Sequence, residues 1–324
     1  MTRLAALDLG SNSFHLLVAD TRPRGRIKRI KTRKLTIRLG EPVARTGKLG
    51  AEAYQRAVDA FEELLKIADK EGAEQIAAVA TEALRTAEDG SAFRTQMQRD
   101  HDVPIQLLSG LDEAALSLKG TASALNLADD DEVLGLDLGG GSFEVALGGN
   151  AKMTAGVSLP LGGAKLLDHL SDPPRLHEQA ALHRLCMDLL QPAAEQILPQ
   201  RHHPDQRLKA IGTAGSIRDL GRLGLTMMGG SAPDKVRGMM VSRDQLELAY
   251  AKLCSVDAHD LMDIKSISSK RADLLPGAGV AVLAAMEAFD LHAITLCDWG
   301  LREGVLLDVV AGCEIVEEET VAPR

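Results

Sequence analysis

Aromatic side chains are scarce: one Trp, two Tyr and five Phe, 2% of 324 residues. A core with so few rings has to be closed mainly by Ala, Leu, Val and Ile. Cysteine is scarce too. Cys186, Cys254, Cys297 and Cys313 are scattered, with no CxxC pair. That excludes a metal or disulfide framework and fits reduced thiols in a cytoplasmic protein. Long apolar runs are missing: no stretch of 18 uncharged apolar residues occurs, so no membrane span is expected. Asp8 interrupts the N-terminal segment too early for a signal-peptide apolar region. Cations are in deficit, 37 Lys and Arg against 46 Asp and Glu, and the net charge of −9 argues against broad nucleic-acid binding. One segment departs from this. Residues 21–34, TRPRGRIKRIKTRK, hold eight basic residues and no acid. Two readings stay open for it: a solvated strand edge whose Lys and Arg deter edge pairing, or a track for a polyanion.

What is present is first a repeat. LDLGSNSFHLLV (7–18) and LDLGGGSFEVAL (136–147) share Leu, Asp, Leu, Gly, Ser and Phe at an offset of 129 residues. Each looks like a strand, a Gly-rich turn and a second strand, so two related domains are expected, each beginning with a hairpin. The rest alternates strands and helices. KLTIRLG (34–40) alternates like a half-buried strand. Tyr54, Val58, Phe61, Leu65 and Ala68 form one stripe of a helix that Gly72 closes. Residues 75–81 and 103–110 read as strands. SGLDEAALSLKG starts a helix in which Ser109 and Asp112 approximate a capping box. Further on come a strand MTAGVSLP, helical residues 176–198, a strand LKAIGT, a nearly apolar helix over 277–291, a strand AITLCD and a terminal helix. Met227–Met228 and Met239–Met240 read as packing. The class is α/β.

Three Gly-rich segments follow apolar strands: Gly10, Ser11, Asn12 and Ser13; Gly139, Gly140, Gly141 and Ser142; and Gly212, Thr213, Gly215 and Ser216. Glycine lets backbone N–H groups converge on an anion, so three such turns favour phosphate binding. None matches the Walker A or dinucleotide fingerprint. Asp137 before the second segment and Glu144 across its hairpin make a carboxylate pair suited to Mg²⁺. Glu113, in a first helical turn, is a candidate general base, although acids there also simply stabilise helices. Arg85, after the strand 75–81, is a candidate phosphate clamp or an ordinary surface Arg. The histidines form no constellation; His15 alternates along a strand and His202–His203 have no third ligand.

The duplicated DLG hairpin resembles the actin-like ATPase superfamily. More closely, the chain resembles the Ppx/GppA phosphatases, in AALDLGSNSFHLLVAD, IRLGEPV, VATEALRTA, LLSGLDEAALS, LGLDLGGGSFEVALG, AIGTAGSI and LREGVLLD, in that order. The resemblance spans residues 4 to 308. It implies two actin-like (ribonuclease-H-like) domains flanking an interdomain cleft: domain I over 1–120, domain II over 121–299, and a helix within 300–324 packing back on domain I. It implies that Glu113 is the catalytic base, that Arg85 assists, that Asp137 and Glu144 hold Mg²⁺ or Mn²⁺, and that the three Gly-rich segments bind phosphate. The implied activity is release of terminal orthophosphate from inorganic polyphosphate, an exopolyphosphatase. Trimming of guanosine pentaphosphate (pppGpp) is the alternative within the family; an actin-like kinase or a non-hydrolysing nucleotide sensor is the alternative outside it. A homodimer is left open. Two residues depart from the family pattern: Asp112 stands where Glu is usual beside the base, and Pro42 where Gly is common. Longer members carry C-terminal helical domains, whereas the resemblance here stops after the actin-like pair, so processive grip on long substrates is left open.

Overall fold

Each DLG segment forms the first strand of an antiparallel meander, and the two meanders organise two separate units. The computed structural model describes residues 1–128, 130–149, 152–229 and 232–312. The first unit comprises Met1–Ser109 with Arg302–Arg324, the second Gly110–Leu301. The last residues of the region assigned to a terminal helix, 313–324, lie outside the described residues.

In the first unit β1 (Arg3–Leu9), β2 (Ser13–Arg22) and β3 (Arg26–Thr36) run antiparallel, and β4 (Gln75–Ala80) and β5 (Ile105–Leu107) continue parallel to β1. The strand order is β3-β2-β1-β4-β5. Helices Gly50–Lys70 and Gly90–His101 make the crossovers. Leu7, Leu9, Phe14, Leu16 and Val18 from the sheet bury against Phe61, Leu64 and Phe93 from those helices. The few rings are gathered here: Phe93 meets Tyr54 and Phe61 edge-on, with centroids 5.5 and 6.4 Å apart.

The strand expected over 34–40 stops at Thr36, and Gly40–Thr46 is a short helix. The alternation reported burial, not sheet pairing. Ile37 and Leu39 are buried, but the amides of Ile37 and Arg38 both donate to the carbonyl of Asn12, and Arg38 takes a positive φ of 55°. Pro42 sits in the first turn of that helix, where its missing N–H costs nothing.

Residues 26–34 of the basic segment lie on the edge strand β3, as the edge reading expected. Arg33 pairs with Glu63 at 2.8 Å in solvent. Arg29 pairs with Glu303 at 2.6 Å, and the Glu303 side chain is 0% exposed. Glu303 lies on the helix Leu301–Ala311, so this bond ties that helix to β3.

The second unit repeats the plan. β6 (Val133–Leu138), β7 (Phe143–Gly148) and β8 (Met153–Leu159) form its meander, and β9 (Lys209–Thr213) and β11 (Ala293–Leu296) run parallel to β6. A short antiparallel strand, β10 (Met240–Ser242), is added at the edge, giving the order β10-β11-β9-β6-β7-β8. This strand was not legible in the sequence, and its surroundings correct the packing assigned to the methionine pairs: Met228 and Met240 are exposed. The helix Leu275–Ala288 is buried almost throughout, as its apolar composition required. No described helix is long and apolar enough to cross a membrane.

Removing a partner from a buried ion pair leaves the other charge uncompensated. Glu303→Ala should therefore lower unfolding stability by about 3 kcal/mol, the low end for buried pairs because Arg29 is partly exposed. Denaturant unfolding followed by circular dichroism measures this.

Candidate active site

In the second unit, Asp137 at the end of β6 stands directly opposite Glu144 on β7, and Glu144 stands opposite Ser158 on β8. Opposed residues on an antiparallel pair project to the same face with Cβ atoms about 5 Å apart. The two carboxylates are therefore neighbours, as their spacing across the hairpin suggested. Glu144 is buried. Ser158 Oγ donates to Glu144 Oε1 at 2.7 Å, and Ser117 Oγ donates to Asp137 Oδ2.

Ser117 lies on the helix Gly110–Leu125, one turn after Glu113. Residues i and i+4 share a helix face. Glu113 is thus placed on the face that Ser117 bonds to the acid pair. Beside this row is a small pocket of about 10 Å³, lined by Ser117, Thr121, Asp137, Glu144 and Thr213 among others. That is room for about one water.

The loop at 139–142 connects β6 to β7. Its carbonyls are held from one side: Gly163 N donates to Gly139 O at 3.0 Å and Ala164 N to Gly140 O at 2.9 Å. In a planar trans peptide the next residue's N–H points opposite to the carbonyl. The amides of Gly140 and Gly141 are consequently turned to the other side together, a pair of parallel donors suited to an anion. Gly162 makes this clasp possible: a Cβ there would collide with the backbone of Gly140, Gly141 and Ser142.

The segment at 212–216 is not a turn, contrary to the sequence reading. Gly212 and Thr213 end β9, and Ala214–Met227 is a helix containing Gly215 and Ser216. Gly212 serves packing, since a Cβ would meet Ile294 Cγ2 at 2.7 Å. The remaining residues form the N-terminus of a 14-residue helix with no acid in its first turn. Its open amides and partial positive charge suit phosphate. The Arg271 guanidinium lies against this turn, 2.7 Å from where a Gly215 Cβ would be, and donates to Asp219 Oδ2 at 3.0 and 2.6 Å.

The first unit has its own loop at 10–13. Gly40 N donates to Ser11 O at 2.8 Å, which turns the Asn12 amide the other way. The Ser11 hydroxyl is engaged, donating to Glu82 Oε2 and accepting from Ala83 N. The Ser13 hydroxyl is buried with no hydrogen-bond partner, as is Thr36 Oγ1 opposite it. Arg85, on the helix Glu82–Thr86 after β4, donates to Leu108 O at 2.6 Å.

Residues 17–312 match the model of the Ppx/GppA phosphatase family. The chain belongs to that family. Among curated Ppx/GppA relatives, exopolyphosphatase 1 of Mycobacterium tuberculosis is 30% identical over 94% of this chain and 87% of its own length. A crystal structure of an Aquifex aeolicus Ppx/GppA protein superposes with a TM-score of 0.79 at 25% identity, covering 96% of this chain and 98% of that one. An exopolyphosphatase structure from Cytophaga hutchinsonii, at 24% identity, has the same fold, with a TM-score of 0.85 over 97% of this chain and 99% of that one. The repeat is thus the actin-like duplication of the Ppx/GppA fold.

Ser117, Ser158, Gly162 and Arg271 were missed by sequence reasoning. Ser117 and Thr121 could have been noticed: they place hydroxyls four and eight residues after Glu113 on an otherwise apolar helix face. The others are contacts between distant segments. Among the described residues, the one group of three or more His, Cys, Asp or Glu close enough to share a metal is Asp257, His259 and Asp260, all exposed. Asp257 there caps a helix by accepting from Asp260 N at 2.9 Å.

Gly162→Ala should displace the 139–142 loop, because the atoms it meets are backbone. Overpacking of this kind costs about 1–3 kcal/mol. The variant should melt earlier, and amide-exchange protection should fall over 139–142 and 163–164 before other segments of the unit.

Proposed function

We propose that the protein hydrolyses the terminal phosphoanhydride of inorganic polyphosphate, releasing orthophosphate. The observation that carries this is the row Ser117–Asp137–Glu144–Ser158 beside a loop with two parallel amides, with Glu113 one helical turn away. Its Mycobacterium relative is named an exopolyphosphatase.

The donor set fits Mg²⁺ or Mn²⁺. Two carboxylates stand side by side with hydroxyl oxygens around them, and no thiolate or imidazole enters the row. Two protein carboxylates leave further positions to water and to substrate phosphates, the usual arrangement for Mg²⁺. Asp137 and Glu144 would hold the ion. Bound there, it supplies positive charge to the phosphoryl oxygens.

In this reading the chain's own groups divide the reaction as follows. Glu113 accepts the proton of the attacking water as its oxygen bonds to the terminal phosphorus. The bond from that phosphorus to the bridging oxygen breaks, and the shortened polyphosphate leaves with the bonding pair. The Gly140 and Gly141 amides and the helix N-terminus at 214–216 take up negative charge on the transferring group. Taken by itself, the first unit offers the Asn12 amide, the Ser13 hydroxyl and Arg85 as candidate phosphate ligands. The Ser13 hydroxyl is buried and makes no hydrogen bond within the protein, which leaves it available to a phosphate oxygen. Cys186, Cys254 and Cys297 form no disulfide among the described residues, in keeping with a cytoplasmic enzyme.

Loss of a general base commonly costs 10²–10⁴-fold in rate. Glu113→Gln should lower turnover by about that factor while polyphosphate still binds; near-normal turnover would remove Glu113 from the role. Phosphate release should be fast from polyphosphate with no nucleotide present. Faster release from pppGpp in the same panel would instead favour the guanosine pentaphosphate reading.

A further inference from the structure

We propose that Ser117 and Ser158 are positioning residues: each fixes the rotation of one metal-binding carboxylate, and together they hold the helix of Glu113 in register with that pair. The proposal rests on the assignment of Asp137 and Glu144 to the metal.

A carboxylate at the end of a short side chain can rotate, and a metal site works only if its oxygens already point at the ion. A hydroxyl bonded to one oxygen sets where the other points. Outer partners of this kind commonly account for 10–100-fold in metal affinity. Both acids have such a partner in the same unit. Ser117 donates to Asp137 Oδ2, and Ser158 donates to Glu144 Oε1 at 2.7 Å.

The two serines also meet the same helix. Ser117 is part of the helix Gly110–Leu125, which is thereby bonded to Asp137. At its N-terminus, Gly110 packs so closely on Ser158 that a Cβ would collide with the serine side chain, its Oγ lying 2.6 Å away. Glu113 lies between these two contacts. A shift of the helix would disturb both carboxylates, and any rotation of either acid would be transmitted to the helix.

A buried serine could equally satisfy itself locally. Thr121, on the same helix and equally buried, does so: its Oγ1 donates to the Leu118 carbonyl at 2.9 Å. Ser117 instead reaches across to a strand. Thr121 thus shows the local alternative that Ser117 does not take.

The test is titration of Mn²⁺ alone into the metal-free, full-length protein, followed by electron paramagnetic resonance, with thermal unfolding of each variant recorded alongside. Ser117→Ala and Ser158→Ala should each weaken Mn²⁺ binding by about 10–100-fold. Ser117→Thr, which keeps the hydroxyl, should restore binding to near wild type. If Ser117→Ala does not fold, Ser117→Cys keeps the shape with a weaker donor and should still bind Mn²⁺ more weakly. Asp137→Asn separates the two ideas. If it abolishes Mn²⁺ binding while Ser117→Ala and Ser158→Ala stay within twofold of wild type, the positioning role is overturned and the metal assignment stands. If Asp137→Asn leaves Mn²⁺ binding unchanged, both fail.

Discussion

The candidate site of the second unit depends on one register. Asp137 and Glu144 are neighbours because β6 and β7 pair with a four-residue loop between Leu138 and Phe143. Side chains alternate faces along a strand, so a slip of one residue would send Glu144 to the opposite face. The loop is bound by the same constraint. It must reverse the chain while Gly139 and Gly140 present their carbonyls to 163 and 164. Peptide planarity then leaves the next amides no choice of direction. The acid pair thus follows from the pairing of the hairpin, and the direction of the loop amides from the bonds donated by 163 and 164.

The first unit shows what the same frame does with other residues. Asp8 stands opposite His15, and His15 opposite Lys34, at the register positions that hold Asp137, Glu144 and Ser158 in the second. The frame is equal; the charge is not. One row carries two acids and a hydroxyl, the other an acid followed by imidazole and ammonium. A divalent cation is therefore suited to the second unit's row and not to the first. The loops stay alike, each with a carbonyl held by a later segment and an amide turned the other way.

Buried polar groups around the site are costly unless satisfied, and the second unit satisfies them between distant segments. Asp219 is 3% exposed and accepts from Arg271 and from Ser268 N. Thr213 donates to the Trp299 carbonyl at 2.6 Å. These bonds tie the strand end and helix start of the 212–216 segment to the chain near 270 and 300. Close approach is provided by absent side chains, at Gly110, Gly162 and Gly215, where small size matters more than freedom of φ.

Much of this was legible in the residues. The repeat at an offset of 129 announced two like units, and local periodicity located the helices and most strands. The family motifs pointed to Glu113, Asp137, Glu144 and the loops. Where local pattern misled, it had reported burial alone: Ile37 and Leu39 alternate because they are buried, while their backbone leaves the sheet. β10 was invisible because three residues are too few for a period. The serines at 117 and 158, Gly162 and Arg271 gain their roles only when segments far apart in the chain are brought together. The sequence by itself determined which groups carry charge and how the chain repeats, because those are properties of residues and their spacing. Only the tertiary structure decided which hydroxyl holds which carboxylate and which way the loop amides point, because those are properties of contacts closed across the fold.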